Sequence, residues 1–347
     1  MKGQVIFRGA SFSLIFSVRA TLGLLLLTLL LLASTVISLR VGNEVFGWTD
    51  TFLGVLGEAD AFTNLIVQNL RLPRILLAII AGASLAIAGL LLQNFTRVSL
   101  ASPSLLGTVD GAGFMVTLFL WWFSDASNQL VVSIHWLPFV AFLGAVMSLT
   151  LLFALVRRKS SMFRLILLGI ALSGLFKALT ILAMIKGPIS VASQAQLWLV
   201  GYVNQTSWSE IQVLAPIFIS LMVLVIAAYR LLLVSNLHQD TIAGLGLSIN
   251  RQTLVLALLS TAFTATAVAF AGGIGFVGLV VPHLARRLFG AHALVLLFSC
   301  AVMGALMVLL ADLAGRTLFS PYEVPTGVFT ALIGIPFFLY LYLFKGR

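Results

Sequence analysis

Long apolar runs, each close to the length of a membrane span, recur along the whole chain. About ten can be counted, at 20–39, 72–92, 106–123, 137–156, 165–185, 210–234, 252–271, 274–289, 293–314 and 324–344. A helix that crosses a bilayer needs about 20 such residues. Backbone groups in lipid must find their partners within the segment, and the ten-residue alternation of a barrel strand is missing. The runs therefore predict an all-α membrane protein with about ten transmembrane helices in a single domain, 1–347.

The composition narrows the possible functions. Hydrophobic residues make up 61% and charged residues 9% of the chain, so the solvent of this fold must be a bilayer. The single cysteine, Cys300, excludes a disulfide framework, and no two histidines are spaced as a helical metal pair. No nucleophile elbow, zinc-protease motif or Gly-Lys dipeptide occurs, so the chain has no phosphate-binding loop. We expect a protein that is not an enzyme, binds no metal or cofactor, and borrows any ATP hydrolysis from another subunit.

The distribution of positive charge predicts the orientation. An even number of spans places both termini on one side, and most of the 20 lysines and arginines lie on that same side, including the cluster of Arg157, Arg158, Lys159 and Arg164. Short cytoplasmic loops carry such an excess. Both termini are therefore predicted to be cytoplasmic, and the net charge of +10 does not indicate nucleic-acid binding.

The stretch 271–287, AGGIGFVGLVVPHLARR, combines glycines with a membrane-like composition. Gly273, Gly275 and Gly278 match a dinucleotide-binding fingerprint, but that motif needs a preceding strand and an acidic residue about 20 positions later. The flanks here are apolar, and Phe298 stands at that later position. A short, Pro-interrupted membrane helix with close backbone contacts is the favoured interpretation, and transporters often place working parts in such segments.

The loop 235–251 separates two spans on the predicted cytoplasmic side. Asp240 suits a helix N-cap and Gly246 a position just beyond a helix end, so about one and a half turns fit between them. Ile242 and Leu245 would face the cytosol. Two interpretations remain open: an interfacial loop with an apolar pair, or a peg that inserts into a groove on a cytosolic partner.

Arginines stand near the predicted outer ends of two spans. Arg71 and Arg74 flank Pro73 at the start of the second span, and Arg316 follows the ninth. They could anchor the helices by snorkelling to the interface. Alternatively, they form a cationic rim that receives carboxylates of a docking protein, since arginine suits bidentate pairing.

Two charged residues fall inside predicted spans. Lys177 lies in the middle of one, where a charge costs about 2.5–3.5 kcal/mol on insertion scales and is a functional candidate. Asp110, in LGTVDGAGF, is a second polar intrusion, and Asp312 is a third. Lys177 and Asp110 are expected to line a wet path or to pair within the bundle.

Several stretches together resemble the ten-helix permease subunits of bacterial ABC importers for iron–siderophores, haem and vitamin B12, the FecCD type. The resemblance covers nearly the whole chain from about residue 20 and is closest to the ferric-siderophore branch, particularly its catecholate members. The stretches that carry it are Arg71–Arg74 with the helix ending at Gln93, Leu105–Gly107 with Gly111–Gly113, Phe163–Gly169, Trp198 with Gly201 and Trp208, Asp240–Arg251, Ala271–Arg287, and Ala311–Arg316 with Pro325–Gly327 and Gly334.

The resemblance implies a type II ABC importer permease fold in the bacterial inner membrane. It implies two permeases, identical or paralogous, around a central path, two ATPases that bind Mg–ATP below, and one substrate-binding protein above. Arg71, Arg74 and Arg316 match arginines that receive binding-protein glutamates. The residues that match the coupling helix are Asp240, Thr241, Ile242, Leu245 and Gly246. Leu100 and Met162 match the inner gate.

The chain departs from this pattern at three places, one of which is Ile242, where the coupling helix usually has an alanine. Arg97-Val98-Ser99-Leu100-Ala101 stands where the family commonly has Arg-Asn-Pro-Leu-Ala, and Asp110 stands where serine or asparagine is usual. The expected function is translocation of a ferric siderophore from a binding protein to the cytoplasm by ATP-driven alternating access. A haem or vitamin B12 permease is the alternative within the family, and an ion-coupled carrier using Asp110 and Lys177 is a remote one.

Overall fold

The computed structural model describes residues 4–345 except 10–11, 43, 99–100, 125–131, 157–161, 204–205, 236–248 and 291. Strands β1 (Gln4–Gly9) and β2 (Phe12–Ser17) precede the helices. The helices are α1 (Val18–Arg40), α2 (Trp48–Leu56), α3 (Ala61–Asn64), α4 (Leu72–Thr96), α5 (Thr108–Trp122), α6 (Leu137–Leu155), α7 (Met162–Lys186), α8 (Ile189–Val200), α9 (Trp208–Ala227), α10 (Tyr229–Ser235), α11 (Ile249–Ala271), α12 (Val277–Phe289), α13 (Ala293–Thr317) and α14 (Thr326–Lys345).

The predicted all-α membrane fold is confirmed, and each of the apolar runs corresponds to helix. Within the described residues, seven helices are long and apolar enough to cross a membrane. Helices α5 and α12, with 15 and 13 residues, are shorter than a full span. The predicted span 210–234 is divided at Ala228 into α9 and α10. The orientation of the termini and the single domain stay predictions.

The pair of strands that precedes α1 was not predicted from the sequence. β1 and β2 form an antiparallel hairpin in which Gln4 is opposite Ser17 and Gly9 is opposite Phe12. It leads directly into α1. Hydrophobic runs locate helices that need a bilayer, but a short hairpin of mixed composition gives no comparable signal.

Helix α4 lies at the centre of the bundle. It packs against α13, α11 and α12, and nearly all of its residues are buried. The close approach depends on glycine. A Cβ at Gly82 would lie 2.2 Å from the carbonyl oxygen of Gly304 in α13, and one at Gly89 would lie 1.8 Å from that of Gly278 in α12. Small residues thus let backbones touch, which is how membrane helices gain packing contact without a hydrophobic driving force.

A π-helical segment, Leu65–Arg71, joins α3 to α4 without a break. Such wide turns insert an extra residue into the helix and often occur at functional sites. Here the segment ends at Arg71, one turn before Arg74, so both arginines lie at the same end of α4. Pro73, whose missing N–H interrupts regular helix hydrogen bonding, follows this wide turn.

Between α11 and α12 the chain breaks as the glycines predicted. Gly272 has a φ of 69° and Phe276 a φ of 66°, which is uncommon for a bulky residue. The amide of Gly273 donates to the carbonyl of Trp198 over 3.0 Å, and the amide of Gly327 donates to Gly201 over 3.1 Å. The first bond joins the break to the end of α8, and the second joins the start of α14 to the residue that follows α8. The element directly before the glycines is helix α11 and not a strand, which excludes the dinucleotide-binding interpretation.

Candidate functional site

Three arginines and two carboxylates meet at the end of the bundle predicted to face outward. This arginine cluster consists of Arg71, Arg74, Arg316, Asp312 and Glu323. The three arginines and Glu323 line a cavity of about 530 Å³. The structure therefore brings together the residues predicted as a rim, although they come from the two ends of the chain.

Arg71 holds the end of α1. Its side chain donates to the carbonyl oxygens of Leu39 over 2.6 Å and of Arg40 over 2.8 Å, and its guanidinium lies 4.8 Å from the centre of the Phe46 ring. A third bond reaches the carbonyl of Glu44. The last carbonyls of a helix have no intrahelical partner and favour a cation. Arg71, only 6% exposed, satisfies them.

Arg74 binds both carboxylates. Its Nε lies 3.0 and 3.2 Å from the two carboxylate oxygens of Asp312, and its Nη1 lies 3.0 Å from Oε2 of Glu323. The hydroxyl of Tyr202 donates to the same Glu323 oxygen over 3.1 Å. The contacts connect α4, α13, the segment before α14 and the α8–α9 connection. Arg74 is 8% exposed, and Asp312 is fully buried.

Arg316 completes the cluster. Its Nη2 donates to the carbonyl oxygen of Ser38 over 2.6 Å and also to the Ser38 hydroxyl. Its Nε lies 3.7 Å from Oδ2 of Asp312 and has no hydrogen-bond acceptor among the described residues. Arg316 is 4% exposed. The arginines are therefore buried and mostly paired within the chain, and their predicted role in docking stays a prediction.

The carboxylate partners were not assigned to this site from the sequence. The sequence identifies Asp312 only as a polar residue inside a span, and it assigns no role to Glu323. The four-residue spacing of Asp312 and Arg316 on one helix is a signal for a local pair. No spacing predicts that Arg74 lies beside Asp312, because the two are separated by most of the chain.

A second charged contact lies between α5 and α7. The Lys177 Nζ is 3.7 Å from Oδ1 of Asp110, and the hydroxyl of Ser173 donates to Oδ2 of the same carboxylate. Asp110 and Lys177, named the intramembrane pair, differ in exposure. The Asp110 side chain is 11% exposed, whereas that of Lys177 is 65% exposed.

A third polar group, the inner amide cluster, consists of Gln93, Asn94 and Arg286. Arg286 donates to the side-chain oxygens of Gln93 over 2.5 Å and of Asn94 over 3.0 Å. The Gln93 amide nitrogen lies 3.3 Å from the carbonyl oxygen of Ala101. The cluster thus connects α4, α12 and the chain that follows residue 100. The inner amide cluster was not predicted from the sequence, because a lone glutamine near a helix end gives no distinct signal.

The comparisons with known proteins agree on one family. A model described as the FecCD transport family matches residues 30–344. The chain belongs to the FecCD transport family. The resemblance noted from the sequence is thereby confirmed, and the chain is a multi-pass permease component of ABC importers that lies in the cytoplasmic membrane.

Two curated FecCD relatives come from Bacillus subtilis (strain 168). The "Probable siderophore transport system permease protein YfhA" is 42% identical over 316 residues, which cover 91% of this chain and 92% of that protein. The Fe(3+)-citrate import system permease protein YfmE is 38% identical over 330 residues, or 95% and 97% of the two chains. A solved inward-facing metal-chelate type ABC transporter is 31% identical, covers 94% of this chain and 99% of its own, and superposes with a TM-score of 0.81.

The remaining FecCD residues expected to function lie partly outside the described part. Asp240, Thr241, Ile242, Leu245 and Gly246, the expected coupling residues, fall within 236–248, and Leu100 of the expected gate falls within 99–100. Met162 begins α7. These assignments stay predictions.

The backbone near the expected gate is partly visible. Arg97 caps α4 with a φ of 57°, and its amide donates to the carbonyl of Gln93 over 3.0 Å. This left-handed turn redirects the chain where FecCD proteins were expected to have Arg-Asn-Pro-Leu-Ala. Of the residues that the structure describes, no group of three or more histidine, cysteine or acidic side chains is placed to hold a metal ion.

Proposed function

We propose that this chain is the permease subunit of an ATP-driven importer that carries a ferric siderophore from a substrate-binding protein into the cytoplasm. The observation that carries the proposal is the similarity, over nine-tenths of both chains, to permeases named for siderophore and Fe(3+)-citrate transport. The sequence supplies the membrane path but no phosphate-binding loop, so a partner ATPase must bind Mg–ATP and hydrolyse it.

The assembly that follows has a second permease beside this chain, two ATPases on the cytoplasmic side and a binding protein on the outer side. The segment 240–246 is proposed to insert Ile242 and Leu245 into a groove of the ATPase. Two apolar side chains on a very short helix gain stability only when a partner buries them. That dependence makes the segment a suitable mechanical link between ATP hydrolysis and the bundle.

Alternating access needs elements that change their relative positions while the rest stays packed. The glycine break at 272–275 and the short helix α12 that follows are proposed to supply such a joint. A backbone hydrogen bond ties the break to the end of α8, and Gly201, just after α8, is tied in turn to α14, so a change in the dihedral angles of the break would act on α8 directly and on α14 through Gly201. Hinges of this kind absorb φ/ψ changes at a few residues at helix ends.

The test is uptake by the assembled complex. Proteoliposomes that contain the permease and the subunits that co-purify with it should accumulate radiolabelled ferric siderophore only with ATP and binding protein present. Leu245→Asp should leave the complex assembled enough to purify but uncouple hydrolysis from uptake. Leu237→Asp adds the same charge to the same loop outside 240–246 and serves as the matched control.

Three outcomes would contradict the proposal. Uptake of haem or vitamin B12 without any uptake of ferric siderophore would assign the alternative substrate. Uptake that persists without ATP and stops with an uncoupler would indicate an ion-coupled carrier. Equal coupling in Leu245→Asp and Leu237→Asp would remove the coupling assignment while leaving the transport function intact.

A further inference from the structure

Lys177 lies deep within α7. The residue is nine positions before the end of the helix at Lys186, which corresponds to about 13 Å along the axis at 1.5 Å per residue. The hydrocarbon core of a bilayer is about 30 Å thick. The ammonium is therefore near the middle of the membrane, and the four-carbon stem of lysine is too short to carry it to the nearer interface.

The two members of the intramembrane pair are not equivalent. Asp110 is nearly buried and is already held by the Ser173 hydroxyl, so its carboxylate is fixed inside the protein. Lys177 reaches it from the exposed face of α7 with most of its side chain uncovered, and the separation of 3.7 Å exceeds a charge-assisted hydrogen bond. A lysine that served only to neutralise Asp110 would gain more from closer, covered contact.

A lysine at this depth is not expected to face lipid. A mid-membrane charge that faces hydrocarbon is costly, and such residues face a bundle interior or a water-filled cavity. The exposed residues beside Lys177 on α7 include the small residues Gly174 and Ala178 and the large apolar residues Ile170 and Ile181, and a Cβ at Gly174 would meet nothing within 4 Å. The chain itself therefore leaves open space beside the cation at Gly174.

We propose that Lys177 is a binding subsite for the anionic oxygens of the transported iron chelate, with Asp110 as its partner when the path is empty. The inference rests on the proposed function and names the charge class of the substrate. An anionic chelate in the path would draw the ammonium from Asp110, and Asp110 would take it back when the chelate leaves. Because the chelate and the Asp110 carboxylate compete for the same ammonium, the chelate is held only weakly. Weak binding is needed so that the ligand can leave the site and move along the path.

The experiment measures initial uptake rates in proteoliposomes against the concentration of two probes. One is an anionic tris-catecholate ferric chelate, and the other is a tris-hydroxamate ferric chelate without net negative charge. Lys177→Met keeps the length of the side chain and removes the charge, and it should raise KM for the anionic probe about tenfold with little change for the other. Lys177→Arg should retain low KM. Lys186→Met, which removes a charge from the end of the same helix, is the matched control.

Exchanging the charges of the two residues distinguishes a substrate-binding role of Lys177 from a purely structural one. In Asp110→Lys/Lys177→Asp the pair is preserved but the cation moves to the covered side, so KM for the anionic probe should stay raised. Full recovery in this double variant would overturn the proposal in favour of a structural ion pair, as would an unchanged KM in Lys177→Met or an equal rise in Lys186→Met. If the wild-type complex takes up neither ferric chelate, the proposed function fails and this inference fails with it.

Discussion

The buried carboxylate of Asp312 offers the sharpest test of what holds the outer end of the bundle together. Asp312 accepts two hydrogen bonds from Arg74, lies 3.7 Å from the Nε of Arg316, and is 3.5 Å from the hydroxyl of Thr326. Asp312→Asn keeps the shape of the side chain and removes its charge. Two buried guanidinium groups then share one remaining carboxylate, Glu323.

The size of the effect follows from these contacts. Removing one partner of a buried ion pair costs about 3–5 kcal/mol, because the other charge stays buried without compensation. Here the cavity admits water, and Arg74 retains its bond to Glu323, so we expect a loss of about 2–3 kcal/mol, near the range for hydrogen bonds to charged groups. For a chain of this size the melting temperature should fall on the order of 5 °C.

The assay is the thermal melt of the detergent-purified protein, followed by the fraction that stays monodisperse. Asp50→Asn is the matched control, since it makes the same chemical change at an exposed position in the first turn of α2. Arg74→Gln combined with Asp312→Asn should cost less than the sum of the single changes, because residues in direct contact couple. If Asp312→Asn melted together with Asp50→Asn, the arginine cluster would not stabilise the bundle.

Two further variants test the packing of α4 and the inner amide cluster. Gly82→Val should abolish recovery of folded protein by size exclusion, since even a Cβ would lie 2.2 Å from the Gly304 carbonyl oxygen, whereas Gly275→Ala, where nothing lies within 4 Å, should be recovered at the wild-type yield. Gln93→Leu removes one of the two side-chain acceptors of Arg286 and a donor to the chain after residue 100. It should therefore lower the melting temperature and raise substrate-independent ATP hydrolysis of the complex. Wild-type values for both measurements would show that the cluster does not position the inner gate.

The sequence predicted the helices well because hydrocarbon imposes a length and a composition on each span. It could not predict which face of a helix is buried, because lipid and protein interior select the same side chains. α4 and α1 are both rich in leucine, yet α4 is almost wholly buried while Leu22, Leu25 and Leu29 of α1 are exposed. The difference lies in the small residues of α4, such as Gly82 and Gly89, which allow neighbouring backbones to approach.

The sequence predicted which residues belong to the candidate site, but not which residues they contact. Arg71, Arg74 and Arg316 stood out because charge is rare in this chain, and the structure brings them to one cavity. The burial of these arginines was not predicted. An arginine at a helix end extends to the membrane interface when no acceptor is near, and it pairs inside the protein when a carboxylate lies within reach. That outcome depends on Asp312 and Glu323, whose proximity is a property of the folded bundle.

These internal pairs change what docking at the arginine cluster would require. A binding-protein carboxylate that approached the cavity would meet Arg74 already bound to two carboxylates and Arg71 already bound to backbone carbonyls. Two routes remain: replacement of Glu323, the more exposed of the two acids, or approach to the unsatisfied Nε of Arg316. In the first route the docking carboxylate replaces Glu323 as the partner of Arg74, so one ion pair is exchanged for another and the net gain in affinity is small. The released Glu323 no longer holds the segment before α14. Docking on this surface would then act mainly by breaking the ion pair between Arg74 of α4 and Glu323 in the segment before α14. Such a break would let the two elements move relative to each other, as the start of a transport cycle requires.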